Sequence, residues 1–343
     1  MDTGEDNNIS EMEKHRVKKL KNDVEKIMEE GVSEFHNDNY RLSAKKLRQA
    51  ASVLRKIDSI LDEDQNWSKR NTLNDLSGRR WLKSTKSWII ADGKSSDIPK
   101  EIKDHPGSFP PSLAAHFIEF FTKIHGFVLD PFVGIGSTLA ACSELNRQCC
   151  GIEINKKYAD YAEKRVKIIA KHNKKSAQEL HVINDDTRNI LDVWKKNKFP
   201  LTDFVITSPP YWNILGTSRG GVESAHKKRI KEGFDETYTN DPSDIGNISN
   251  YQSYLEEICS IFADIDKVLK EGAYICIIVQ NIRDKDGIMR PIAWDIGYKL
   301  QSIFDLKQEF IWCQNQKFLG IWGYPTTYVS NVHHHYCLIF QKK

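Results

Sequence analysis

The stretch FVLDPFVGIGSTLAAC, residues 127–142, reads as a buried strand that runs into a glycine loop and out into a helix of small residues. The apolar run closes on Asp130; Pro131 and Phe132 follow, then Gly134 and Gly136, and Ser137 and Thr138 open the helix. Glycines there let a ligand reach the backbone, and N–H groups at a helix start favour an anionic group. The third glycine of the dinucleotide fingerprint is missing, which disfavours a nicotinamide dinucleotide and leaves other nucleoside ligands.

Outward from that stretch, short apolar runs alternate with helical segments: CCGIEI (149–154), HVIN (181–184), DFVI (203–206), YICIIV (274–279), EFIWC (309–313) and YCLIF (336–340) read as strands. With FVLD they make seven, and the helices between most of them predict a doubly wound α/β sheet. Asp130, Glu153 and Asp186 end three successive strands. Glu153 lies nineteen positions beyond Gly134, where an acid accepts from ribose hydroxyls, and Asp186 can accept from an adenine amine. Together the three describe an adenosine-shaped crevice at the carboxyl edge of the sheet.

A chain of 343 residues that is 39% hydrophobic supports a sizeable core. No apolar run approaches the ~20 residues of a membrane span and the first ten residues do not resemble a signal peptide, so the cytoplasm is expected. The seven cysteines form no CxxC pair and read as buried thiols. A net charge of +3 does not imply nucleic acid, so position must decide. Basic residues gather in two places: GRRWLKSTKSW (78–88), with Arg79, Arg80 and Lys83, and HKKRIKEG (226–233), with Lys227, Lys228 and Arg229. The first sixty residues have apolar positions at helical spacing and read as a solvated arm or a dimerisation element in preference to a DNA contact.

TSPPYW, residues 207–212, ends the DFVI strand. Two prolines can be mere punctuation, since proline lacks an N–H donor. The chain as a whole gives them more. It resembles the S-adenosylmethionine-dependent amino-methyltransferases that make N4-methylcytosine or N6-methyladenine in DNA. The likeness rests on HPGSFPPSLAAHFIEFF, DPFVGIGST, GIEIN, NDDTRN, TSPPYW and VHHHYCLIFQK, over roughly residues 104–343. It implies a Rossmann-like class I fold with a mostly parallel seven-stranded sheet, helices on both faces and a helical N-terminal extension. The expected division is 1–95 for the extension and 96–343 for the catalytic domain.

By the same resemblance His105 and Phe109, with Asp130, Pro131, Phe132, Gly134, Gly136, Ser137 and Thr138, hold the methionine end of S-adenosylmethionine. Glu153, Ile154 and Asp186 hold its ribose and adenine. Ser208, Pro209, Pro210 and Tyr211 form the catalytic clamp. An exocyclic amine is a poor nucleophile because its lone pair is delocalised. Rigid acceptors must therefore fix its hydrogens while Tyr211 stacks on a flipped base. Serine at 208 is the usual choice of the N4-cytosine group, so cytosine N4 in duplex DNA is expected ahead of adenine N6, and an RNA or protein amine as substrate is less favoured. Carbon-5 methylation needs a cysteine after a proline, and no such pair occurs.

The family implies double-stranded DNA as partner and leaves open a cognate restriction endonuclease. The gap between NDDTRN and TSPPYW is too short for a recognition domain. The 213–250 insert with Lys227, Lys228 and Arg229, together with Trp212 and the Arg79, Arg80, Lys83 segment, are the candidate DNA contacts. His333, His334 and His335 lead into a strand whose alternation prevents them from sharing an ion, so no metal is expected. The resemblance instead implies that this stretch lies beside the target-base pocket, with one of the histidines lining it and Asn331 nearby.

Overall fold

A computed structural model describes residues 11–61, 70–91, 108–172, 180–212, 244–283, 288–314, 321–322, 329–330 and 332–343. His105, Lys227, Lys228, Arg229 and most of the 213–250 insert lie outside these residues. The chain divides into two compact units, Met1–Arg70 with Leu76–Trp81, and Asn71–Asp75 with Leu82–Lys343.

The first unit is a hairpin of α1 (Glu11–His36) and α2 (Tyr40–Leu61). Val24 and Ala50 are buried in it, and the turn between the helices places Asp38 at a φ of 59°. Glu30 and Lys46 pair across the hairpin. A short helix, α3 (Gly78–Ser84), carries the chain over the division between units.

The second unit holds an eight-stranded sheet. In chain order its elements are β1 (Trp88–Ile90), α4 (Pro111–Phe121), β2 (Phe127–Asp130), α5 (Ser137–Glu144), β3 (Gln148–Ile152), α6 (Lys156–His172), β4 (Leu180–Ile183), α7 (Ile190–Asn197), β5 (Thr202–Thr207), α8 (Tyr251–Asp266), β6 (Leu269–Val279), β7 (Ile282–Arg283), β8 (Met289–Arg290), α9 (Ile292–Leu300), β9 (Phe304–Cys313), β10 (Ile321–Trp322), β11 (Val329–Ser330) and β12 (His334–Lys342). The sheet order is β1-β9-β12-β6-β5-β2-β3-β4, while β7-β8 and β10-β11 are separate two-stranded ribbons. Strands β2 to β6 run parallel, and β12 inserts antiparallel to both of its neighbours. The seven expected strands are all present.

The eighth strand corrects the count. Trp88–Ile90, read from sequence as part of a basic segment, pairs parallel with Ile311–Cys313 at the sheet edge, and the Trp312 indole N–H donates to the Ala91 carbonyl at 2.9 Å. Three residues with half-exposed Trp88 and Ile90 leave too short an apolar signal to read.

Alternation along the strands sorts the two faces. Leu129, Cys150, Val205, Ile275, Ile277 and Leu338 face one way, into a core shared with α7, α8 and α9. On the opposite side α4 covers the sheet, with Phe121 stacked on Phe204 at 5.2 Å and Phe117 edge-on to Phe310 at 5.4 Å, and α5 and α6 continue that layer. The carboxyl ends of β2, β3, β4 and β5 therefore open on one edge. Because β12 is antiparallel, its first residues reach the same edge, with Tyr336 opposite Val279.

Candidate functional site

Asp130 ends β2 with 1% of its surface exposed. Its Oδ1 accepts from the Thr207 hydroxyl at 2.7 Å and from the Phe132 N–H at 3.1 Å, and its Oδ2 accepts from the Thr138 hydroxyl at 2.5 Å. Burial pushes its pKa up to about 6 although all three donors pull it down. One carboxyl thus joins the end of β2, the glycine loop, the start of α5 and the residue immediately before Ser208. It is not among the residues that bound the cavity beyond, and its three bonds tie these elements together.

That cavity lies over the strand ends. It is bounded by Ser108, Phe109, Phe132, Gly134, Ser137, Glu153, Ile154, Asp186, Ser208 and Pro210. Residues expected to hold the cofactor and residues of TSPPYW therefore share one space. Gly136 caps α5 at a φ of 80°, left-handed backbone that suits glycine. A side chain at Gly151 would come within 2.6 Å of Val133, so this glycine lets the loop lie flat on β3. Pro131 is fixed by its carbonyl, which accepts from the Thr187 hydroxyl.

Glu153 follows β3 and is half-buried at the cavity wall. Its Oε2 accepts from the Gly134 N–H and its Oε1 from the Asn155 N–H, both at 2.9 Å. Burial first, and then the nearby carboxyls of Asp244 and Asp130, raise its pKa to about 7 against the pull of those two bonds. A carboxylate has about four lone-pair sites, so each oxygen can accept once more. Asp186 caps the turn after β4, accepting from the Arg188 N–H at 3.0 Å, and its carboxylate is also paired with the Arg188 guanidinium.

The clamp is held from two sides. Ser208 follows Thr207, Pro209 is buried, and the Pro210 carbonyl accepts from the Tyr254 hydroxyl of α8 at 2.9 Å. The Tyr211 ring lies 6.4 Å from His335, which in turn stacks on Trp312 at 4.5 Å. His334 turns to the other face, edge-on to Tyr336. Trp212 packs at 4.9 Å from Tyr251, whose hydroxyl donates to Asp295 at 2.5 Å. Arg79 and Arg80 fall in the first unit and Lys83 in the second, all three on α3.

Asp244 was not legible as a site residue. It is buried, lines the cavity and accepts from the Gly246 N–H at 2.9 Å in a short turn before α8. The sequence reading placed it inside the polar insert; an Asp-x-Gly ahead of the Asn250 helix cap was the available signal. Ser108, within HPGSFPPSLA, lines the cavity as well.

The residues present fit S-adenosylmethionine. The Ser137 hydroxyl is buried at the cavity without a hydrogen-bond partner, Glu153 has lone pairs to spare for ribose hydroxyls, and Phe109 and Phe132 offer apolar faces. Among the described residues no cluster of His, Cys, Asp or Glu could hold a metal ion, and no helix is long and apolar enough to cross a membrane.

A family model described as DNA methylase, of the N6/N4 methyltransferases, matches residues 5–164, which include the glycine loop and Glu153 but end before Asp186 and TSPPYW. The type II methyltransferase M.SmaI of Serratia marcescens is 42% identical over 66 residues, 18% of this chain and 23% of that protein. The orphan methyltransferase M.BamHII of Bacillus amyloliquefaciens is 37% identical over 81 residues, 23% of this chain and 31% of that one. The chain thus spans about a quarter to a third of the length of these relatives. A solved rRNA-methylase structure from Clostridium thermocellum, itself described as putative, is similar only loosely, with a TM-score of 0.39 and 13% identity over 69% of this chain and all of that one. The family match over residues 5–164, just under half of the chain, and the two stretches of identity make the chain similar to the DNA amino-methyltransferases of the N4/N6 family, whose two branches these matches do not separate, and they support S-adenosylmethionine as the cofactor.

Proposed function

We propose that the chain methylates the exocyclic amine of a base in duplex DNA, with cytosine N4 as the target and residues 96–343 as the catalytic domain. One observation carries the reading: Ser208 and Pro210 line the same cavity as the glycine loop, Glu153 and Asp186, so a methyl donor held by the latter faces the clamp. S-adenosylmethionine supplies the methyl group when bound; the chain's own residues position the acceptor. The acceptors offered to the amine hydrogens are the Ser208 hydroxyl and the Pro210 carbonyl, which accepts once from Tyr254 and keeps a second lone pair. Hydrogen bonds to those hydrogens localise the nitrogen lone pair, and the fixed orientation lowers the barrier to direct transfer. Tyr211 stacks on the extruded base, with His335 and Trp312 continuing the aromatic wall. A hydroxyl at 208, in place of a carboxamide or carboxylate, favours the cytosine branch.

The test is transfer from tritiated S-adenosylmethionine to mixed-sequence duplex DNA, followed by nucleoside analysis. Label is expected in N4-methyl-2′-deoxycytidine, and Ser208→Ala and Tyr211→Ala should each lower transfer on the order of 10²-fold. Label in N6-methyladenine would move the substrate to the other branch. Label in RNA or protein only would remove the DNA assignment, and undiminished transfer by both variants would remove the clamp.

A further inference from the structure

The α1–α2 hairpin carries a second apolar seam that its own packing does not use. On α2, Tyr40, Ala44, Leu47, Ala51 and Leu54 recur at spacings of four, three, four and three and all are exposed. On α1, Met28, Val32 and Phe35 repeat the pattern, one position beyond the inward-facing Ile27, Gly31 and Glu34. Phe35 and Tyr40 meet edge-on at 5.4 Å where the helices join, so the two seams share one side of the hairpin. The six large residues keep 44% to 57% of their surface exposed. That amounts to on the order of 500 Å² of apolar surface, a patch of the size that marks an interaction site. It approaches the ~800 Å² each partner buries in a stable interface.

The spacing asks for helices as the cover, since 3–4 repeats of this kind are the signature of knobs-into-holes seams. Charge says which helices. From Asp23 to Glu34, α1 carries five acids and one base, whereas from Tyr40 to Leu54, α2 carries four bases and no acid. Glu25 and Glu29 border the α1 seam, and Arg41 and Arg48 border that of α2. A second copy turned about a twofold axis brings an acidic helix against a basic one on both sides of the contact, with the same patch serving both chains. We propose that this face joins two copies of the chain into a four-helix arrangement, α1 of one opposite α2 of the other.

Light scattering and sedimentation of the full chain read this directly. The expected mass is twice the 39.6 kDa chain, falling toward the monomer on dilution. Leu47→Glu with Leu54→Glu alters only exposed positions, so helical circular dichroism should persist while the dimer dissociation constant rises on the order of 100-fold or more. Glu29→Arg and Arg48→Glu chains should each self-associate less than the natural chain and should pair with one another on mixing. A chain that stays monomeric at its highest soluble concentration overturns the proposal and leaves the seam to a partner or to another part of the same chain. A dimer indifferent to the Leu47, Leu54 double variant overturns it as well. Mixing that gives no preferred heterodimer overturns the pairing of α1 with α2.

Discussion

The ends of β2 and β3 lie side by side, each closed by a carboxyl whose pKa burial has raised, yet the two are built for different tasks. Asp130 turns both oxygens inward to Thr138, Thr207 and the Phe132 N–H. Glu153 spends one bond per oxygen on backbone N–H groups and keeps its remaining capacity at the cavity wall. An acid at a strand end is thus not a ligand site by virtue of its place in the sheet; its partners decide. Asp130 bonds to residues of the loop after β2, the start of α5 and the end of β5, while Glu153 stands at the cavity wall, where the proposed function has it meet the ligand.

The hardest test of that contrast is to delete each carboxyl. Asp130→Ala leaves three buried donors without an acceptor, at ~1–3 kcal/mol each, so a loss of about 4 kcal/mol or more of stability is expected in a denaturant titration. Glu153→Gln keeps the volume but sets an amide N–H against a backbone N–H. It should lower affinity for S-adenosylhomocysteine on the order of 10- to 100-fold, as for a charged hydrogen bond, with a smaller change in stability than Asp130→Ala. If Asp130→Ala were the milder change in stability, or Glu153→Gln bound the ligand as well as the natural chain, the division of roles would be reversed.

How much of this could be read beforehand follows from the range of each interaction. FVLD matches β2 residue for residue, and the glycine loop and Glu153 were visible because strand, turn and helix start are local patterns. The partners of Asp130 were not, since Thr207 is 77 positions away and only the sheet brings it near. Asp244 enters from the far end of a polar insert, with no apolar period to mark where that insert turns inward. Strand β1 is three residues at an edge, below the length at which alternation carries information. The side of the hairpin that stays exposed also needed coordinates, because two adjacent 3–4 seams on one helix look alike in sequence.

The finest separation of the two acids is by protons. Glu153 titrates at about 7 in the fold against an ordinary value of 4.5. Between those values the folded protein holds a proton that the unfolded chain has released, so this group's contribution to stability falls as pH rises through the window. Ligand hydroxyls that donate to Glu153 favour the carboxylate and lower that value. Binding below about pH 7 must then expel a proton, and affinity must rise with pH, by at most ~10-fold per unit, and level off above it. Asp130, pushed up only to about 6, already accepts three bonds from its own chain and is not among the residues that bound the cavity, so on this division of roles it should release nothing. Calorimetry of S-adenosylhomocysteine binding in buffers of different ionisation heat counts the protons. The natural chain should release a fraction of one near pH 6.5, and Glu153→Gln none. Asp130→Asn, if it folds, should match the natural chain. Proton release that survives in Glu153→Gln but vanishes in Asp130→Asn would exchange the two assignments, because a ligand hydroxyl that donates to a carboxyl stabilises its ionised form and drives the proton into the buffer.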